Sequence, residues 1–259
     1  MNIYKLLAIL NAVGLIGVLI VNYLANALPI NGYDTGELSD MYPNLFVPAG
    51  LTFSIWGLIY LFLIAFVIYQ FVKTDFENTP PHHFLSRISF LFFINCLANM
   101  GWILLWHHRM VFLSFLVMLI ILGSLIMIYQ RLEIGQRKVR FSNKWFVHIP
   151  FSIYLGWITV ATIANATTLL VDWGWNGFGL PESVWAMIMI FVATLVGLRV
   201  FSERHDVAYV LVLVWAFLGI FIKRNDISSY QDTVAIAAAT GGILLIISMI
   251  WGVIQKKKA

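Results

Sequence analysis

Three short sets of side chains in this 259-residue chain have types and spacings that could do chemistry. Trp56 and Tyr60 stand one helical turn apart in "SIWGLIY". Asn99 and Trp102 stand three apart in "NMGW". Tyr154, Trp157, Ala161 and Asn165 follow at intervals of three or four in "YLGWITVATIAN", with Thr168 the next step on. Residues so spaced share one face of a helix. Indole and phenol rings give stacking area with a polar tip, and amides give paired donors and acceptors. The chemistry that such a set suits is recognition of a flat apolar molecule. Ala161 leaves room beside the Trp157 ring. Trp157 also lies near the middle of its apolar run, where interfacial anchoring does not explain a Trp, so it leads the candidates for a ligand contact.

Other chemistries find little support. No Asp, Glu, Lys or Arg falls near the middle of an apolar run, so the buried charge used by ion-coupled transporters is missing. His82, His83, His107, His108, His148 and His205 lie in loops or at run ends, too shallow for a bilayer haem. The two adjacent pairs point their rings apart on regular structure and lack a third ligand, which favours surface histidines over a metal site. There is no G-x-S-x-G, phosphate loop or Cys–His pairing. No catalytic residue, metal or cofactor is expected. The single cysteine, Cys96, reads as a small packing residue.

The elements that must position these residues are membrane helices. The chain is 61% hydrophobic and 11% charged, and about 20 apolar residues cross a bilayer core about 30 Å thick. Eight such runs fall at roughly 4–28, 49–72, 86–106, 110–130, 146–171, 183–202, 207–222 and 233–254, the seventh the shortest. They are too long and too free of alternation for barrel strands, so the fold class is an all-α polytopic membrane bundle. With a cytoplasmic N-terminus, thirteen of the sixteen basic residues lie inside and three (Arg109, Lys223, Arg224) outside, so both termini are expected in the cytoplasm. The outer loop "PINGYDTGELSDMYPN" has no Lys or Arg and three acids, whereas "IKRND" is an exception to the rule. Lys5, the apolar stretch and "ANA" look like a signal peptide, but the apolar core is long for one and an uncleaved helix is expected. The basic segment "RLEIGQRKVRFSNK" reads as an anchor on anionic head groups and not as a nucleic-acid site. Counted from the outer helix ends, Asn22, Asn99, Asn165 and Trp56 all fall roughly 9–11 Å deep, which suggests one polar cluster, with helix–helix glue as the plain alternative.

These motifs carry a resemblance. Pro48 followed by Trp56 and Tyr60, Asn99 and Trp102 in "NMGW", and the Tyr154–Trp157–Ala161–Asn165 spacing resemble the TspO/MBR family, the translocator or tryptophan-rich sensory proteins. The resemblance covers residues 1–171 as a five-helix domain and leaves 172–259 as a three-helix extension. Pro48 is not paired, and Pro150 stands a turn earlier than the family pattern. The resemblance implies an outer loop closing over a cavity that takes porphyrins or sterol-like molecules, with Trp56, Tyr60, Asn99, Trp102, Tyr154, Trp157, Ala161 and Asn165 as ligand-binding residues.

Four functions follow as expectations. The first is a receptor or sensor for a flat hydrophobic ligand such as a tetrapyrrole. The others are a permease for a small hydrophobic compound, a porphyrin-degrading enzyme, which lacks a visible acid–base pair, and a structural membrane protein whose asparagines only join helices. Expected partners are the small-molecule ligand and the lipid bilayer, without nucleic acid and with a homodimer left open. The expected location is the bacterial inner membrane.

Overall fold

A computed structural model describes residues 2–28, 30–77, 80, 83–226 and 231–258, with side chains up to 255. His82 lies outside the described residues, and so do the side chains of Lys256, Lys257 and Lys258. The described residues form helices and connecting turns. The eight long helices are α1 (Ile3–Ala27), α2 (Ile55–Lys73), α3 (Leu91–His107), α4 (Val111–Arg131), α5 (Ile149–Asp172), α6 (Glu182–Arg204), α7 (Val207–Arg224) and α8 (Asp232–Lys258). Helices satisfy every backbone group within the segment, which is what the bilayer interior requires.

Among the described residues seven helical stretches are long and apolar enough to cross a membrane, and this is a polytopic helical membrane bundle. The short one is α3, with 17 residues or about 25 Å, and not α7, whose 18 residues qualify. The expected run from 86 is broken at Ser89, where φ is +50°. A separate turn of helix, Phe84–Ile88, precedes the break. The apolar character continues through the break, which is why composition alone joined the two pieces.

The chain forms two compact units, residues 1–38 with 56–155, and residues 39–55 with 156–259. The division crosses α5 between Leu155 and Gly156.

In the first unit, α1 lies against α3 where glycines remove bulk. A Cβ on Gly14 would stand 3.0 Å from Cys96 and Phe93, and one on Gly17 would stand 2.7 Å from the Met100 sulfur. Cys96 is buried there, as a packing residue should be. Helices α3 and α4 form a hairpin whose turn is closed by the Met110 N–H donating to the Leu105 carbonyl at 2.9 Å. The core is aromatic: Phe66 meets Phe92 at 5.4 Å and Phe151 at 5.1 Å, both edge-on. Buried amides join helices. Asn11 donates to Gln70 Oε1 at 3.1 Å, Gln70 donates to the Ala8 carbonyl, and Asn95 donates to Ser124 Oγ at 2.8 Å. A π turn at Lys144–His148 leads into α5. It sits where Pro150 can neither donate to residue 146 nor tolerate its carbonyl at α-helical distance.

In the second unit, small residues again set the packing. The Gly156 Cα lies against the Tyr209 carbonyl and Val212 of α7, Gly197 against Leu213 and Leu245, and Gly241 against Thr194 and Phe217. The small-residue run "AIAAATGG" packs closely at Ala235, Ala238 and Gly241. His205, with φ +52°, ends α6, and the Asp206 carboxylate then accepts the Tyr209 N–H to start α7.

The segment of this unit that precedes α2 is held by α7. A 3-10 turn, Gly50–Ser54, leads into α2. The Ala49 N–H donates to the Gly219 carbonyl at 3.0 Å, and the Trp215 indole donates to the Thr52 carbonyl at 2.9 Å. The Arg224 guanidinium donates to the carbonyls of Asn44 and Val47, and Lys223 pairs with Asp40 at 3.0 Å. Thr52 and Pro48 occupy the space that a side chain on Gly219 would need. The two basic residues that broke the charge rule therefore have a local task.

Candidate functional site

Helix α2 brings Trp56 and Tyr60 to one face, and their rings stack at 5.4 Å and 22°. Trp56 also stands edge-on to Tyr154 of α5, 6.0 Å away. The Tyr154 hydroxyl accepts from Asn99 Nδ2 of α3 at 3.1 Å, and Asn99 Oδ1 accepts from Asn22 Nδ2 of α1 at 3.0 Å. The second hydrogen of that Asn22 amide goes to the Val18 carbonyl at 2.9 Å. Four helices of the first unit thus meet at one aromatic and amide cluster. Trp56 and Tyr60 are half-buried, while Asn99 and Tyr154 are almost fully buried. The Tyr60 hydroxyl is enclosed and has no hydrogen-bond partner among the described residues. Trp102 shares the Asn99 face, is 6% exposed, and stacks on Trp106 at 5.9 Å. Spacing and position near helix ends would also suit Trp102 and Trp106 to an interfacial belt, but both rings are inside the protein, whereas Trp173 is 61% exposed.

The other three expected residues belong to the second unit. Trp157 is 2% exposed and meets Phe53 edge-on at 5.8 Å. Asn165 is buried, and its amide donates to the Ala161 carbonyl of its own helix at 3.2 Å. Ala161 is half-buried.

Of the four residues expected at one depth, Asn22 and Asn99 bond to each other, and the α5 partner of Asn99 is Tyr154, three turns before Asn165 on that helix. Counting from helix ends assumes that all helices stop at one plane, and α5 with its lead-in is longer than α3. Sequence reading also passed over Asn11, Gln70 and Asn95, which are 0–1% exposed. A polar residue inside an apolar run was the available signal. The surface assignment of the histidine pairs fails at His107, which is fully buried, with Nδ1 3.0 Å from the Ile30 carbonyl and Nε2 3.2 Å from Thr35 Oγ1. His148, at the start of its run, is buried too. Among the described residues no group of three or more His, Cys, Asp or Glu could hold a metal ion.

The bundle and its aromatic cluster define a polytopic helical membrane protein with buried polar links between helices. A family model described as TSPO-like protein matches residues 8–251, and the chain belongs to that family. The match includes α6, α7 and α8 as far as Trp251. No curated protein and no solved structure matches the chain.

Proposed function

We propose that the protein is a membrane receptor or sensor for a flat hydrophobic ligand, with a tetrapyrrole as the leading class. The observation that carries the reading is the Trp56–Tyr60–Tyr154 aromatic set, in which the Tyr60 hydroxyl is enclosed without a protein partner. A buried hydroxyl costs free energy unless something bonds to it, and a ring beside Trp56 with a polar edge would meet both needs. Asn99 and Trp102 lie on the same unit and support the wall. Trp157, Ala161 and Asn165 form a second proposed ligand-binding face on the second unit, to be tested separately. Family membership supports the class of protein. The proposed setting is a bacterial inner membrane with both termini in the cytoplasm.

The test is a titration of purified protein with protoporphyrin while Trp fluorescence is followed. Saturable quenching is expected. Trp56→Ala should weaken affinity by about 0.5–1.5 kcal/mol for the lost aromatic contact, and Trp56→Phe should retain most of it. Absence of saturable quenching, or unchanged affinity in folded Trp56→Ala, overturns the reading.

A second reading is favoured by the amides themselves. The chain Asn22–Asn99–Tyr154 pairs its own donors and acceptors, which is how a structural link without a ligand would look. It predicts that substitutions at Asn99 change melting temperature and leave porphyrin quenching as it is.

A further inference from the structure

We infer that the connection between α4 and α5, residues 131–146, is a binding surface for the head groups of anionic lipids. It carries five basic residues, Arg131, Arg137, Lys138, Arg140 and Lys144, all exposed. Glu133 is the one acid in this stretch of sequence, and it is shared by Arg87 at 2.7 Å and Arg137 at 3.7 Å. No carboxylate of the segment is left for Lys138, Arg140 or Lys144.

The segment is a fixed frame. Leu132 and Ile134 are each 3% exposed and pin the turn inward, and Arg87 also donates to the Arg131 carbonyl at 2.9 Å. The Tyr69 hydroxyl donates to Asn143 Oδ1 at 2.6 Å and clamps the start of the helical run that becomes α5. From this frame Phe141, 77% exposed, and Trp145, 42% exposed, face outward beside the cations, while Phe146 stacks on Tyr69 at 5.1 Å and leaves 40% of its surface exposed. Phe141 and Trp145 sit one turn apart with rings 5.9 Å from each other.

Both ends of the connection run directly into membrane-crossing helices. The cations therefore stand at the lipid–water boundary, where each near-surface Lys or Arg contributes about 1 kcal/mol of attraction to an anionic leaflet. Exposed rings among the charges favour a lipid over a nucleic acid. They would sit at the acyl boundary while the ammonium and guanidinium groups reach phosphates. Free phosphate would use the charges and ignore the rings.

The test uses the full-length protein in neutral detergent. Native mass spectrometry counts bound dioctanoyl phosphatidylglycerol against dioctanoyl phosphatidylcholine, with inorganic phosphate and a short single-stranded oligonucleotide as separate arms. The expected result is preferential retention of phosphatidylglycerol. The triple variant Lys138→Gln, Arg140→Gln, Lys144→Gln should lose about tenfold or more of that preference. Phe141→Ser should weaken phosphatidylglycerol retention while all charges remain. Melting temperatures without lipid verify folding, and if the triple variant fails to fold, Lys138→Gln and Phe141→Ser decide instead. Equal retention of the two lipids overturns the proposal. So does displacement by inorganic phosphate, or oligonucleotide binding that matches phosphatidylglycerol and ignores Phe141→Ser.

Discussion

Asn99 is the joint of the first unit, since it receives from Asn22 and donates to Tyr154. Asn99→Leu leaves an amide and a hydroxyl without that partner, so a loss of about 1–3 kcal/mol is expected, read as a lower melting temperature by circular dichroism in detergent. Asn165→Leu should cost less, about 0.6 kcal/mol, the average for an interhelical amide bond in a membrane. An equal or larger loss at Asn165 would reverse the order of importance. Trp157 is enclosed with Phe53 on its edge. Trp157→Ala is therefore expected to destabilise by about 3–5 kcal/mol, with Trp157→Phe recovering most of it. If Trp157→Ala melts like the parent and loses porphyrin quenching, the ring serves the ligand and not the core. These residues were chosen from sequence by spacing, and spacing correctly paired Trp56 with Tyr60. It had no means of pairing Asn99 with Tyr154, because that contact depends on how far α3 and α5 slide past each other.

At the scale of elements, α7 secures residues 40–52 through Trp215, Gly219, Lys223 and Arg224. These contacts are not equal. Lys223→Gln removes an ion pair that is partly solvated, and a change of about 0–1 kcal/mol is expected. Arg224→Leu removes donors from the Asn44 and Val47 carbonyls, and Gly219→Val collides with Thr52 and Pro48. Both should raise the labelling rate of a cysteine at Leu51 and lower the melting temperature, and unchanged labelling would show that the segment holds itself. A second element responds to pH. His83 caps the short helix Phe84–Ile88 by accepting the Leu85 N–H on Nδ1, and burial lowers its pKa from the usual 6.5. The unfolded chain therefore takes up the proton first as pH falls, so this contribution is intact above pH 6.5 and fades below it. Between pH 7.5 and pH 5.5 the melting temperature should fall more for the parent than for His83→Asn, which keeps a capping oxygen without a titrating ring. Equal falls would remove His83 as a source of the acid sensitivity.

For the whole molecule the charge pattern gives a testable orientation. In a Cys96→Ala background, cysteines at Thr35 and Asn176 should label from outside sealed cells, and one at Gln136 should not. Labelling at 136 would invert the topology and place the basic connection on the outer face. Helix number and order were legible because each crossing needs its own apolar run. The break at Ser89 was not, because a positive φ at a serine leaves no mark on hydropathy.

The sequence by itself determined that the chain is a helical membrane bundle, which faces carry rings and amides, and, through its motifs, which family it resembles. Those properties follow from composition and from periodicity along a single helix, and both are local. Tertiary structure decided which residue on one helix meets which on another. It placed Tyr154 beside Asn99, put His107 and Trp106 inside, paired Asn11 with Gln70, and turned Lys223 and Arg224 from exceptions to the charge rule into anchors for the segment before α2. Such contacts depend on the tilt, offset and close approach of helices far apart in the chain. Those are set by small residues such as Gly14, Gly156 and Gly219, whose effect appears only once a neighbour is present.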